Sequence, residues 1–461
     1  MMDNGLTLAG NFTSEKPKSD VVAAEILDEM DFVTDRLSED IFQFTDGVYQ
    51  RTTENVITDW VVDHYPRESR HFGAEVLHKI RAMTHHDPAD FDGDLDIIAV
   101  KNGLLNITTR ELQPFNPEYI ATVRIPVEFD RGAGCTRWTT FMSEVVTPEN
   151  AEILQEYVGY TLLRTYEFHN WLMLVGGGRN GKTTFINVVI DFLGENNIST
   201  CTLQDIEGNR FRAATLHSKL ANVSDDISKL SLKETGLIKT LTGSGHVQVE
   251  NKYGNPFDLH NRAKLLFATN DPPLVFDDTD AFFERLIVIP FPNQFLGGAQ
   301  NTRLFDELTT PGELSGILNW ALDGLDRLRK NNAFSKAGSA DETRNYYTRL
   351  SDPLAAFVQD NIEVGPEADI GKDEFYNRFL EFQNVKHLRR ISKMEVGKRL
   401  PKIIAVGERY CRERGRLWTG VRWRSEKEKR DELSDKGKVV LEKFEKTDEV
   451  EADKCKEYLE D

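Results

Sequence analysis

The chain has 461 residues, which predicts about three domains, since one hydrophobic core usually serves about 150 residues. No apolar run approaches the roughly 20 residues that a membrane-spanning helix needs, so a membrane-spanning protein is excluded. The formal net charge of -19 would repel nucleic acid if it were evenly spread, which argues against a simple DNA-coating protein. No secretory signal is visible in residues 1–20, so we expect a cytoplasmic protein with no membrane partner.

The first part of the chain predicts two regions. Residues 1–45 are acidic and weakly patterned, and we interpret them as an N-terminal segment. Residues 46–146 predict an α+β domain, in which apolar runs on either side of Asn102 and Gly103 form a β-hairpin. Thr147 and Pro148 then have the residue types of a helix N-cap and first turn, and this helix leads into the next region.

The most informative stretch is a glycine-rich loop. Residues 171–175 are all apolar and predict a buried parallel strand, and residues 185–193 have the apolar content of a helix. The loop between them matches the pattern G-x-x-x-x-G-K-[ST] of a P-loop. The predicted nucleotide-binding residues are Gly176, Gly177, Gly178, Arg179, Asn180, Gly181, Lys182, Thr183 and Thr184.

The spacing of this loop suits ATP and Mg²⁺. Glycines allow the backbone N–H groups to curl around phosphates, and the following helix directs the positive end of its dipole at them. Lys182 would then reach the β- and γ-phosphates, and the hydroxyl of Thr183 would bind Mg²⁺.

A second strand is predicted at residues 220–224, and it ends at Asp225 and Asp226. One carboxylate could coordinate Mg²⁺ while the other polarises water, and the sequence leaves open which does which. The alternative is a surface turn capped by one of these aspartates.

A hairpin is predicted beyond this strand. Residues 247–250 alternate, residues 251–255 favour a turn and residues 256–259 return, so Lys252 and Tyr253 lie at the tip. A lysine beside an aromatic ring suits phosphate contact and base stacking in DNA, although an ordinary surface hairpin is the alternative.

Two further strands complete the predicted sheet. Residues 264–269 deliver Asn270 to the carboxyl end of a strand, where it can sense the γ-phosphate. Arg285 stands before a strand at residues 286–289, on a different edge from the P-loop. An arginine there suggests a finger for a neighbouring subunit in a ring, with a structural salt bridge as the alternative.

The C-terminal region is basic, since residues 386–424 hold thirteen Lys or Arg against three Glu. Ser392 predicts a helix start, and residues 416–423 predict a strand pair with a turn, a pattern typical of a winged helix. A solvated basic face or a protein-docking surface is the alternative. The candidate DNA contacts here are Arg389, Arg390, Lys398, Arg399 and Arg422.

These motifs resemble the superfamily 3 helicases, and within them the phage/plasmid primase-helicase family, whose relatives include poxvirus primase-helicases. The resemblance rests on the P-loop, the aspartate pair and residues 238–243, 267–273 and 282–291. It extends upstream to the motifs at residues 102–105, 114–119 and 154–160.

The resemblance implies a hexameric AAA+-like ring that hydrolyses ATP, translocates on single-stranded DNA and separates forked DNA. Asp225 and Asp226 inherit the Walker B role, Asn270 the sensor role and Arg285 the finger role. Gly245 and Glu284 depart from the family, which often has an acidic residue and an arginine at these positions.

The sequence therefore predicts an α/β protein with a P-loop ATPase core at 147–335, a winged helix at 345–424 and a charged tail at 425–461. A primase domain is not expected, so priming would come from a separate primase or polymerase. The favoured function is an ATP-dependent replicative DNA helicase of a phage, virus or plasmid. The alternative is an ATP-switched DNA-binding initiator or adaptor that unwinds little.

Overall fold

The structure, a computed structural model, describes residues 17–225, 227, 232, 235–243, 245–250, 256–275, 279–295, 301–335, 338–385 and 390–425. Within these ranges the chain is a mixed α/β protein with five sheets. None of the helices in this part of the chain combines the length and the apolar character that crossing a bilayer requires.

The N-terminal part begins with a helix that is folded onto its neighbours. Val22 and Ile26 lie on one face of this first helix and share a buried cluster with Val76 and Ile80. Residues 19–45, expected to be weakly patterned, thus pack with the region that follows them, because a short apolar stripe at helical spacing is enough to bury one face. The elements are α1 (Ser19–Glu29), β1 (Phe32–Asp35), β2 (Ile41–Thr45), β3 (Val48–Arg51), α2 (Asn55–His64), α3 (Arg70–Met83) and β4 (His85–His86), with sheet order β3-β2-β1-β4.

A three-stranded sheet and two helices follow. The predicted hairpin is confirmed, because Ile97 pairs with Asn106 and Val100 with Gly103 in antiparallel register. The predicted helix start is also confirmed, since the Thr147 hydroxyl accepts a hydrogen bond from the Asn150 amide. The elements are β5 (Ile97–Val100), β6 (Gly103–Asn106), β7 (Leu112–Gln113), α4 (Thr136–Val145) and α5 (Pro148–Tyr160).

The centre of the molecule is a five-stranded parallel sheet. From one edge to the other its strands are β14 (Leu286–Pro290), β8 (Trp171–Val175), β13 (Lys264–Thr269), β10 (Ala221–Ser224) and β9 (Ile198–Ser199). Four of its strands were predicted, whereas the two-residue edge strand β9 gives no periodic signal. The elements up to the hairpin are β8 (Trp171–Val175), α6 (Lys182–Leu193), β9 (Ile198–Ser199), α7 (Leu203–Gly208), α8 (Arg210–Ala213), β10 (Ala221–Ser224) and α9 (Gly236–Leu241). Short 3-10 helices lie at Glu195–Asn197 and Ala214–Leu216.

The predicted hairpin after α9 is confirmed as an antiparallel pair, although its tip lies outside the described residues. The strands of the hairpin are β11 (Val247–Glu250) and β12 (Pro256–Leu259). The sheet then continues with β13 (Lys264–Thr269), α10 (Asp280–Phe283) and β14 (Leu286–Pro290), and the chain leaves it through α11 (Leu304–Leu308), α12 (Pro311–Asn331) and α13 (Ala340–Ser351).

Helix α13 packs against the sheet region. Its Tyr347 is buried, contacts Phe283 and donates a hydrogen bond to the Pro273 carbonyl at 2.7 Å. Arg344 of the same helix pairs with Asp280 at the start of α10. Tyr347 of the predicted winged-helix region thus packs on the region around α10, whereas Arg349 of the same helix pairs with Asp360 of α14.

The C-terminal module is a three-stranded antiparallel sheet with three helices, and its strands lie in the order β15 (Ile362–Gly371), β17 (Gly415–Trp423) and β16 (Gly407–Cys411). The predicted turn inside residues 416–423 is wrong, because these residues lie in one continuous strand and the turn falls at residues 412–414. Gly420 has φ +84° where the pairing with β15 shifts register, so the glycine accommodates an irregularity. The elements are α14 (Pro353–Asn361), β15 (Ile362–Gly371), α15 (Lys372–Val385), α16 (Lys393–Ile403), β16 (Gly407–Cys411) and β17 (Gly415–Trp423).

Helices α5 and α12 cover one face of the central sheet and approach each other closely through glycines. A Cβ atom on Gly159 would lie 2.2 Å from the Ala321 carbonyl oxygen, and one on Gly324 would lie 2.5 Å from the Gln155 carbonyl carbon. These contacts are with backbone, so neither helix can yield by rotating a side chain.

We expect Gly324→Ala to lower the thermal midpoint measured by calorimetry. Overpacking of this kind costs about 1–3 kcal/mol, which exceeds the roughly 1 kcal/mol that alanine gains in helix propensity. Gly312→Ala in the same helix is the matched control, because a Cβ there meets no heavy atom within 4 Å. Equal midpoints for the two variants would contradict the close packing.

Candidate functional site

The glycine-rich loop joins the end of β8 to the start of α6. Gly178 and Gly181 have φ of +84° and +91°, in the left-handed region that favours glycine. A Cβ on Gly181 would also lie 2.6 Å from the Val145 side chain. The loop therefore needs glycine for both conformation and space, and it turns the first N–H groups of α6 towards the carboxyl edge of the sheet.

The loop is braced by the segment that follows β14. The buried Asn180 side chain donates to the Phe291 carbonyl at 3.2 Å, and Gln294 donates to the Gly177 carbonyl at 3.2 Å. The Phe295 amide donates to the Arg179 carbonyl at 2.9 Å. The sequence reasoning missed this bracing, although the parallel order of β8 and β14 is a signal that both strands end at the same edge.

Lys182 is the charged centre of the site. Its side chain is buried, and its Nζ donates to the Gly176 carbonyl at 2.6 Å and to the Asn180 amide oxygen at 3.1 Å. A third bond reaches the Asn270 amide oxygen at 3.2 Å. All three acceptors are neutral, and burial lowers the pKa of the ammonium to about 8. Among the described residues, therefore, this desolvated cation has only neutral hydrogen-bond partners.

Asn270 follows β13, the strand directly beside β8, and Thr269 pairs with Val175. The structure therefore brings Asn270, the predicted sensor residue, into contact with Lys182. Asn270 is exposed, and because its Oδ1 accepts from Lys182, its amide N–H groups point elsewhere as donors.

Among the described residues, the predicted Mg²⁺ ligands are not gathered around Lys182 as Asn270 is. Asp225 follows β10 and is exposed, but β13 lies between β10 and β8, so these strands are about 10 Å apart. Thr183 and Thr184 lie in the first turn of α6, with Thr183 exposed. Asp226 lies outside the described residues. Among the residues that are described, no group of three or more His, Cys, Asp or Glu is arranged to hold a metal ion.

Arg285 lies at the opposite edge of the sheet from the loop. Its carbonyl accepts from the Trp171 amide at 2.8 Å, and its guanidinium donates to the Ala281 carbonyl at 2.6 Å. The five residues of β8 separate it from the loop by roughly 17 Å. The structure therefore does not bring Arg285 to Lys182 within one chain.

The candidate DNA contacts fall into three groups. Lys252, Tyr253 and Arg389 lie outside the described residues. Arg399 and Arg422 are paired, the former with Asp352 at 2.6 Å and the latter with Glu363. Arg390 and Lys398 are exposed.

The arrangement has the chemistry of an anion site. Backbone N–H groups at a helix start and a buried ammonium converge on the carboxyl edge of a parallel sheet, where such sheets place ligands. An anion bound there would give the Lys182 ammonium a negatively charged partner.

Two family models match parts of the chain. One, described as a family of unknown function (DUF5906), matches residues 174–285, a range that contains the glycine-rich loop, Asn270 and Arg285. The other, described as D5 N terminal like, matches residues 16–147.

Solved structures of the NrS-1 C-terminal region in apo form are similar at 9–10% identity, with TM-scores of 0.47 and 0.48. These matches cover 88% of this chain and 100% of the solved chains. At this level the structural likeness bears on neither mechanism nor partners. Each of the two family models covers less than half of the chain, so the matches are similarities of these two regions.

Proposed function

We propose that this chain is an ATP-dependent DNA helicase of superfamily 3, which translocates on single-stranded DNA and unwinds duplex DNA during replication of a phage, virus or plasmid. The observation that carries the proposal is the contact between Lys182 and Asn270 at the end of the glycine-rich loop. A phosphate-binding lysine and a γ-phosphate sensor need this proximity, and the two residues are 88 positions apart in the chain.

We infer that this site binds ATP together with Mg²⁺. Lys182 and the N–H groups of the P-loop would hold the phosphates, and Thr183 with Asp225 and Asp226 would hold the ion. Bound there, Mg²⁺ neutralises charge on the phosphoryl oxygens. Asn270 would orient the terminal phosphate, since the Lys182 contact leaves its N–H groups as the available donors.

In the proposed assembly the AAA+-like protomers form a homo-hexameric ring. Arg285 would serve the site of a neighbouring protomer, because its own site lies at the other edge of the sheet. The hairpin of β11 and β12 would carry Lys252 and Tyr253 towards single-stranded DNA, and the C-terminal module would act as a winged helix. A separate primase or polymerase would supply priming.

The first test is ATP turnover and strand separation of a forked duplex. Wild type is expected to show DNA-stimulated turnover and unwinding, and Lys182→Ala is expected to lose both, because the cation that binds phosphate is removed. Lys79→Ala is the control, since Lys79 is an exposed lysine of α3. DNA-independent turnover without unwinding would instead favour an ATP-switched initiator.

The affinity for ATP is expected to fall as pH rises above about 8. The pKa of Lys182 is about 8 without an anion, and a bound phosphate raises it, so binding takes up a proton above that pH. Affinity should be about tenfold weaker at pH 9 than at pH 7, measured by calorimetry.

Lys182→Arg is the control for this pH dependence, because a guanidinium keeps its charge throughout the range. Its affinity is expected to be equal at the two pH values, whatever its absolute strength. A wild-type affinity that does not change with pH would contradict the role of the Lys182 ammonium.

Mixing two inactive variants tests whether Arg285 acts between protomers. Lys182→Ala and Arg285→Ala are each expected to lose turnover, since one lacks the phosphate ligand and the other the finger. In mixed rings some sites combine an intact loop with a neighbour's intact arginine, so part of the turnover should return. A mixture that stays inactive, although the subunits exchange, would contradict a finger supplied in trans.

A further inference from the structure

The C-terminal module presents one helix with two distinct faces. Val396 and Leu400 of α16 are buried in the core of the module. On the opposite face Met394, Lys398 and Lys402 follow each other at intervals of four residues, and all three are exposed. Met394 is 71% exposed, so its side chain contributes little to the core.

The cations of α16 differ in whether they are already paired. Arg399 bonds to Asp352 at 2.6 Å and to Glu395 at 3.3 Å, and Lys393 pairs with Asp373. Asp352 also caps α14 by accepting from the Ala355 amide, so Arg399 holds the module together. Within the described part of the chain, Lys398 and Lys402 have no acidic partner. The outward face of α16 therefore carries uncompensated positive charge.

The hairpin that follows α16 also exposes aromatic and basic side chains. Tyr410 is 72% exposed and lies opposite Arg416 in the pairing of β16 with β17. Arg412 lies in the turn between the two strands and is exposed. By contrast, Arg409 and Arg414 both pair with Asp369, so they stabilise the hairpin.

We propose that α16 binds in the major groove of duplex DNA through the face of Met394, Lys398 and Lys402, with the hairpin of β16 and β17 against the backbone. A helix about 10–12 Å wide fits a groove about 12 Å wide. The lysines then contact phosphates, and the methionine offers an apolar contact to thymine methyl groups. The inference deepens the proposed helicase function, and rests on it only for placing this duplex ahead of the fork.

The test measures binding of a fluorescent 20-base-pair duplex and of a 20-nucleotide single strand by anisotropy, without nucleotide, at several salt concentrations. Lys398→Ala/Lys402→Ala is expected to bind duplex roughly tenfold more weakly at low salt, with a salt slope smaller by about two. Binding of the single strand should change by less than about twofold, because only a duplex holds phosphates on both sides of a groove into which α16 fits.

The matched control is Lys79→Ala/Lys330→Ala, which removes the same charge from exposed positions of α3 and α12. An equal loss in this control would overturn the inference, since net charge alone would explain it. An unchanged duplex affinity of the Lys398/Lys402 variant would overturn it, as would equal losses on duplex and single strand.

The helicase proposal is tested separately in the same proteins. Lys182→Ala is expected to keep duplex binding without nucleotide, and the Lys398/Lys402 variant is expected to keep its DNA-independent ATP turnover. If wild type shows no ATP turnover, the helicase proposal fails but the duplex-binding result still tests α16. If the Lys398/Lys402 variant binds duplex like wild type, the inference about α16 fails but the turnover result still tests the helicase proposal.

Discussion

The central constraint on this structure is that a parallel sheet must bury both of its faces. Strands β8 and β13 are buried at every position, and their side chains divide between two clusters, with Leu172 and Leu174 in one and Trp171 and Met173 in the other. Since both faces are covered, only the ends of the strands remain open to solvent and ligands. The loop, Lys182 and Asn270 are therefore all found at the carboxyl edge.

The parts of the fold that the sequence predicted share a strong local signal. Buried strands appear as unbroken apolar runs, and a loop that needs left-handed backbone appears as glycines at fixed spacing. The sequence predicted Asn270 at the carboxyl end of a buried strand, whereas its contact with Lys182 became visible only in the structure. The Thr147 helix start was predicted for a similar reason, since its cap depends on residues only three apart.

The parts that were not predicted depend on partners distant in sequence. The bond from Asn180 to the Phe291 carbonyl spans 111 residues, and a single side chain that meets a carbonyl leaves no periodic pattern. The turn assigned to residues 416–423 failed because glycine serves a bulge as readily as a turn. Arg399 is paired with Asp352 and so stabilises the fold, whereas an unpaired lysine can contact a ligand. The number of basic residues in a segment does not distinguish these two cases.

Helix α13 has a mechanical consequence. Its twelve residues span about 18 Å, its side chains Arg344 and Tyr347 are fixed to the region around α10, and it runs directly to Asp352 at the start of α14. It is thus a continuous helical connection between the region of α10, next to Arg285, and the C-terminal module. A tilt of ten degrees at one end would displace the other by about 3 Å, close to the roughly 3.4 Å rise of one base step.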